Sequence, residues 1–526
     1  MRKEWVPFLA AVALALGAAV PAPCQLIDRT LAPNTADEGI AKSLADEVGA
    51  GRGDWLTPGS SSFIIARDPF RAIRRGRQLF QRKFTHAQGH GPVAGDGTGN
   101  IDENLAIGAG LSDSCASCHG RPRGSAGFGG DVVTRPDSRD APHLFGLGLK
   151  EMLADEITGK LRAIRAAALA QAAASGQPVT SPLLAKGISY GSITAFPDGS
   201  LNTSQVVGVD PDLRVRPFFA HGGTMSIREF AVGAWNAEMG LQSADADLLA
   251  AAQGGAITTP AGMALDGAKD KVEAPPATSP SADPDGDGVI DEVPASLVDF
   301  MEFYLLNYFK PGHGEPSPVA QAGRVRFQNI GCAVCHKPDL TIDHDRRVAD
   351  VETAFDPTRG IFNRLFATAG ALFEESDDGH GFPTLKLPKG NPFVVRDIFT
   401  DFKRHDLGPN FHERSYDGTT RTQFLTTPLW GVAATGPYGH DGRSTTLTEV
   451  ILRHGGEAQQ ARDVFAQMGV GDRRQLLEFL GTLVLFPPDD TASNLNPGDP
   501  TAAGFPQNGH GSIKLGVLFN DPGEPE

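Results

Sequence analysis

Apolar residues recur every three to four positions in several stretches of the chain, and each such stretch predicts a helix. D-P-F-R-A-I-R-R-G-R-Q-L-F-Q-R-K-F (68–84) is one and A-G-R-V-R-F-Q-N-I (322–330) another. The clearest is K-E-M-L-A-D-E-I-T-G-K-L-R-A-I-R-A-A-A-L-A-Q-A-A-A (150–174), where Met152, Leu153, Ile157, Leu161 and Ile164 fall on one stripe. Before L-V-D-F-M-E-F-Y-L-L-N-Y-F (297–309), Ser296 with Asp299 reads as a cap, and Pro311, which has no N–H to donate, reads as the stop. R-R-Q-L-L-E-F-L-G-T-L (473–483) predicts a closing helix. Strand-like patterning stands out at I-S-Y-G-S-I-T-A-F-P-D-G-S-L-N-T-S-Q-V-V-G-V (188–209), which predicts a short hairpin about Pro197, Asp198 and Gly199. The expected fold is mainly α, with long loops and a small β-hairpin insertion.

A helix followed by a pair of cysteines occurs twice, which predicts two related domains, at 61–267 and 296–486. The Pro-, Ser- and Asp-rich stretch between them is the expected linker, 268–295. Residues 23–60 read as an irregular arm and 487–526 as a loose tail. At the start, Arg2 and Lys3 precede the apolar run F-L-A-A-V-A-L-A-L-G-A-A-V (8–20), and small residues follow at Gly17, Ala18, Ala19 and Ala22. That order predicts a cleaved signal peptide over 1–22 and a periplasmic or secreted protein. The run is shorter than the roughly 20 residues that span a bilayer. Cys24 would be a lipid attachment point, but Pro23 before it matches a lipoprotein signal poorly.

Composition narrows the function. Of 526 residues 40% are hydrophobic and 21% charged, as in an ordinary soluble protein of two or three domains. Gly 63 and Pro 39 are high, in keeping with long loops. A net charge of -16 excludes nucleic acid as a natural partner, because phosphates would repel such a surface.

The chain has only Cys 5, and four of these cysteines fall in two copies of one pentapeptide, Cys115-Ala-Ser-Cys118-His119 and Cys332-Ala-Val-Cys335-His336. Cys-x-x-Cys-His is the pattern of c-type haem attachment. Two thiols so spaced can add across the two vinyl groups of one haem, and the adjoining His becomes the proximal iron ligand. A redox disulfide, half a zinc site and coincidence are the alternatives. A disulfide does not explain the two histidines, and zinc would need further cysteines. Two covalent haem c groups are therefore expected. Whether a second protein ligand caps each iron decides between an electron carrier and a catalyst.

The run T-P-L-W-G-V-A-A-T-G-P-Y-G-H-D-G-R-S-T-T-L-T-E-V-I-L-R-H-G-G-E-A (427–458) resembles the bacterial di-haem cytochrome c peroxidase superfamily, in its di-haem oxidoreductase (thiol oxidoreductase-like) branch. S-R-D-A-P-H-L-F-G-L-G-L (138–149) and F-T-D-F-K-R-H-D-L-G-P (399–409) extend the likeness over most of residues 65–485. The resemblance implies two cytochrome c-like haem domains. It implies that His454 caps the haem held by His336, at the place of a methionine in the peroxidases, with Met468 as the other candidate. It also implies that Glu238, in G-T-M-S-I-R-E-F-A-V-G-A-W-N-A-E-M-G (223–240), is a catalytic carboxylate over the N-terminal iron. His143 and His221 are the candidate caps there. A tryptophan usual between the haems is replaced by Ala220, with Trp235 as a candidate substitute.

D-P-D-G-D-G-V-I-D-E (283–292) spaces Asp283, Asp285, Asp287 and Asp291 as in calcium loops, although Pro294 stands where a bidentate glutamate would. A solvated acidic linker is the other reading. The function expected from all this is an exported di-haem oxidoreductase, peroxidase-like, in which the C-terminal haem transfers electrons and the N-terminal haem activates peroxide or O2. The electrons would come from a small redox protein or a quinol-linked donor. The alternatives are a non-catalytic electron-transfer cytochrome and a dioxygenase of the rubber-oxygenase type.

Overall fold

The computed structural model describes residues 43–91, 112–119, 131–132, 139–308, 316–355, 365–414, 418–433 and 435–484. The expected signal peptide, Cys24, Pro311 and the tail 487–526 lie outside the described residues. Two short helices come first, α1 (Leu44–Val48) and α2 (Ser61–Arg67). Ser43 and Ser60 cap them, each hydroxyl accepting the N–H three residues on. The expected irregular arm is thus docked from residue 43 onward. Glu47 is buried beside Arg82 at 3.0 Å, a pairing across 35 residues that no local pattern could reveal.

The helix expected at 68–84 forms as α3 (Pro69–Gln81), capped by Asp68 with Pro69 at its first position. The first Cys-x-x-Cys-His is itself a helical turn, α4 (Cys115–His119). The long amphipathic stretch is α5 (Leu147–Ser175), closed by Gly176 in the left-handed conformation at φ 66. The expected hairpin is present between Ile188–Ala195 and Leu201–Asn202, and Val179–Ala185 adds a third antiparallel strand on its other side. Ser226 and Glu229 form a reciprocal capping box that starts α6 (Ile227–Met239), and α7 (Ala246–Ala252) follows.

The cap expected for the next helix does not form. Helix α8 (Ala295–Asn307) begins after Pro294 without a side-chain cap, Ser296 lies inside it, and Asp299 is drawn to Arg228 at 2.8 Å instead. A buried carboxylate gains more from a guanidinium than from one backbone N–H. As expected, α9 (Pro318–Asn329) leads into the second Cys pair; then come α10 (Leu447–Arg453), α11 (Gln459–Gln467), which no expectation covered, and the closing helix α12 (Val470–Leu480). Between residues 340 and 425 the chain also makes antiparallel pairs that its patterning does not announce, among them Leu340–Ile342 with Phe393–Val395 and Arg404–Asp406 with Gln423–Leu425. Strands of three residues are too short to show an alternation.

Three apolar cores result. The first joins α2, α3, α6 and α7 to α8. The second sets α5 and its three-stranded sheet against Leu340, Ile342, Val395, Ile398, Phe402 and Trp430. The third collects Phe327, Phe399, Phe465, Leu476 and Phe479 around the second Cys pair. Helix α8, which begins where the stretch 268–295 ends, completes the first core and not the third. Its face is apolar nearly all round, so it needs partners on every side. Among the described residues no helix is long and apolar enough to cross a membrane.

Candidate functional site

At the second Cys pair, α9 ends at Asn329 and Gly331, at φ 100, reverses the chain into a single turn, Cys332–Val334. His336 then donates from Nδ1 to the Phe399 carbonyl at 3.1 Å. A carbonyl only accepts, so this bond places the proton on Nδ1 and leaves the lone pair on Nε2. Edge-to-face contacts of Phe327 with Phe399, at 5.6 Å, and of Phe399 with Phe479, at 5.6 Å, hold the carbonyl in place. Burial, with a further contribution from His454, pushes His336 down to about 4, so its ring is neutral at ordinary pH.

His454 shows the same arrangement. It sits at the end of α10, and its Nδ1 donates to the Val450 carbonyl at 2.7 Å. Burial holds its pKa below the usual histidine value. The adjoining Arg453 is clamped by Asp441 at 2.8 Å, Ser444 at 2.9 Å and the Asn410 carbonyl at 2.9 Å. Asp441 comes from the H-D-G of 440–442, so that triplet orients the turn carrying His454. The fold thus brings His336 and His454, 118 positions apart in the chain, into electrostatic reach of one another. Met468, the other candidate, is partly buried against the third core.

The N-terminal loop repeats the pattern. His119 donates from Nδ1 to the Pro142 carbonyl at 2.7 Å, again freeing Nε2. Cys115 and Ala116 rest on the first core. Among the described residues Cys115, Cys118, Cys332 and Cys335 are free thiols, and burial lifts Cys115 and Cys332 to about 12 each. Each loop therefore offers what a covalently held haem needs: two unbonded thiols and a neutral imidazole with one nitrogen anchored and the other available. The donor set fits the group.

His143 lies directly behind His119. Its Nε2 donates to the Trp430 carbonyl at 2.8 Å, and it follows Pro142 in the chain. That places it on the anchored side of the His119 ring and removes it as a candidate cap facing Nε2. His221 stacks on Phe219, with centroids 6.2 Å apart. Glu238 is half-buried in the last turn of α6. The end of that helix is pinned to the first Cys loop in two steps: Gly91 donates to the Met239 carbonyl at 3.3 Å, and His90 bonds the Ser112 carbonyl at 2.8 Å. A Cβ at Gly240, which has φ +72, would meet the Gly91 carbonyl at 2.0 Å, so only glycine allows this approach. Trp235 is fully buried in the first core. Ala220 accepts from Leu425 at 2.8 Å and so lies beside the Gln423–Leu425 strand.

Two ligand-like groups lie near or apart from these loops. Cys335, Asp401 and His405 bring donor atoms within 4.8 Å of one another, but His405 spends both nitrogens, on Asp401 at 2.9 Å and on Glu457 at 2.7 Å. Asp283, Asp285 and Asp287 likewise gather within 4.8 Å, and Asp291 is not part of the group. The backbone carbonyls of Phe399 and Pro142, central to both sites, have no sequence signature. The Asp441–Arg453 clamp could have been read from the acid and the base flanking the H-D-G helix.

Residues 375–483 match the family described as "Di-haem oxidoreductase, putative peroxidase". No curated protein matches the chain. Among solved structures, it is similar to a hydrazine synthase of Kuenenia stuttgartiensis, pressurised with xenon, at 12% identity over 82% of this chain and 94% of that one, with a TM-score of 0.34. It is also similar to a MauG-like protein associated with microbial copper homeostasis, at 15% identity over 80% of this chain and 91% of that one, with a TM-score of 0.28.

Proposed function

The chain carries a di-haem oxidoreductase domain over residues 375–483, a domain of enzymes, and from that premise we propose that it is an exported, peroxidase-like enzyme with two covalent haem c groups. The observation that carries the reading is the repeated anchoring of His119, His336 and His454 through Nδ1 to a backbone carbonyl. Cys115, Cys118 and His119 would hold one haem; Cys332, Cys335 and His336, together with His454, would hold the other. Bound there, the groups supply one-electron chemistry and a site for peroxide.

The chain's own residues do the rest. His336 and His454 would offer two neutral nitrogens to the C-terminal group, a pairing suited to passing electrons. Glu238, in the helix end pinned to the first Cys loop, would relay a proton on a carboxylate oxygen between the two oxygens of the peroxide. Two electrons and two protons turn one hydrogen peroxide into two waters. The electrons arrive from a small redox protein or a quinol-linked donor in the periplasm.

Acid-acetone extraction should leave the colour with the protein, and the wild type should consume peroxide. Glu238→Gln keeps size and hydrogen bonding but cannot relay a proton. Positioned acid–base groups contribute about 10²–10⁴-fold, so the variant is expected to lose at least about tenfold in turnover while keeping both haem spectra. Wild-type turnover in Glu238→Gln would make it a structural acid.

The aspartate loop completes the proposal, with calcium held by Asp283, Asp285 and Asp287. Three carboxylates this close repel one another unless a cation sits between them. Calcium should therefore raise the unfolding temperature of the chelator-treated protein, and Asp285→Asn should abolish the rise. An equal rise with magnesium at the same concentration, or none with calcium, returns the loop to a solvated linker.

A further inference from the structure

Resting on the reading of the two loops as haem sites, we propose that the His143 ring, hydrogen-bonded to the Trp430 carbonyl, is the bridge by which electrons cross between them. A continuous path joins the anchored sides of the two proximal histidines. His119 Nδ1 donates to the Pro142 carbonyl at 2.7 Å; one peptide bond later the His143 Nε2 donates to the Trp430 carbonyl at 2.8 Å. One residue back, the Leu429 N–H donates to the Ile398 carbonyl at 3.2 Å; Ile398 adjoins Phe399, whose carbonyl takes the His336 Nδ1 proton at 3.1 Å. Between the two proximal rings His143 is the one side chain in the path, and every other link is backbone.

The surroundings keep this contact fixed. The Trp430 ring is packed so closely on Gly146, at φ +72, that a Cβ there would lie 2.6 Å from it. Trp430 is 4% exposed in the second core, while its neighbours Leu429 and Val432 pack on the third. The Trp430 backbone therefore belongs to the wall between the two sites. Trp235, the candidate substitute for a tryptophan between the haems, sits in the first core alone. A second contact, from the Asp140 N–H to the His440 carbonyl at 3.0 Å, leads toward His454 only through the Asp441–Arg453 ion pair, a longer way round.

The step is a transfer of one electron. The haem on His336 is oxidised by one unit, the haem on His119 is reduced by one, and each hydrogen bond keeps its own proton. The electron enters beforehand from the external donor.

The test is a pulsed reduction of the oxidised di-haem protein with a flavin photoreductant, followed at the visible bands of both haems. Wild type should show a second phase in which an electron moves from one haem to the other. In His143→Leu that phase should slow at least tenfold, with haem content and both midpoint potentials unchanged. In His143→Gln, whose amide N–H can still reach the carbonyl, it should recover most of the wild-type rate. Should the leucine variant fail to load both haems, His143→Asn, one bond too short to reach, carries the same expectation. An unchanged rate without the hydrogen bond overturns the bridge alone. Slowing accompanied by shifted potentials, or equal slowing in His143→Gln, overturns it in favour of a structural role. A wild type with no second phase overturns both the bridge and the two-haem division of labour beneath it.

Discussion

Arg228→Ala is expected to cost about 3–5 kcal/mol of stability, because it strips from a buried set of carboxylates the guanidinium that three of them share, leaving Arg52 on Asp299 at 3.6 Å. Arg228 is 0% exposed, and it reaches Asp245 at 2.5 Å, Asp299 at 2.8 Å and Glu302 at 2.8 Å, all of them buried. It binds Asp245 through two nitrogens, the fork geometry that only arginine offers, so Arg228→Lys should recover only part of the loss. The ion set ties α6 to α8 and thus fixes the helix that carries Glu238.

The pH dependence of the loss tests its cause. Burial lifts Glu302 from 4.5 to about 7, even with Arg228 pulling the other way. A carboxyl whose folded pKa lies above its unfolded one binds its proton more tightly in the folded state. Its contribution is therefore fully present below 4.5 and is lost as the pH rises through 7. Asp245 has the opposite sign: burial pushes it up, but Arg228, the Leu248 N–H and Arg52 together outweigh that and hold it below the usual value. Without the arginine both groups are pushed upward, so the penalty should be larger at pH 8 than at pH 5. Denaturant melts of the two proteins at both pH values read this directly. A penalty independent of pH would mean that lost packing, not uncompensated charge, is responsible.

The second large effect is a change of ligand field. His454→Ala should turn one of the two haems from low-spin to high-spin while both stay covalently attached, since Cys332 and Cys335 are untouched. The imidazole removed is neutral, its Nδ1 is fixed on Val450 at 2.7 Å, and alanine offers no donor. Phe411 packs edge-on against the ring, with centroids 5.2 Å apart, and offers no donor either. Asp441→Asn is the graded control. It weakens the clamp on Arg453, which orients His454, and should loosen the low-spin signal without abolishing it. An unchanged spectrum in His454→Ala would transfer the axial position to Met468 or another group.

Much of this was legible from short-range pattern. The helices over 68–84, 150–174 and 473–483 form within a few residues of their expected limits, because amphipathic periodicity and caps are local properties. The two Cys-x-x-Cys-His runs were legible because each lies within five consecutive residues. The Ser296–Asp299 cap failed for a physical reason. The motif describes what a serine and an acid do when nothing else competes, and Arg228, 71 positions away, competes successfully. The contact of Glu47 with Arg82 is equally non-local, since it exists only once α3 has folded.

By itself the sequence determined where the main helices start and stop and which cysteines and histidines stand together in the two Cys-x-x-Cys-His runs. These rest on bonds and turns between neighbours in the chain. The tertiary structure alone decided that α8 belongs to the first core, that Asp291 stands apart from the other aspartates, and that His143 backs onto His119 and joins it to Trp430. Each of these depends on backbone carbonyls or on charges brought together from distant segments. A carbonyl is the same in every residue and leaves no mark in a sequence, so its place is known only once the chain has packed.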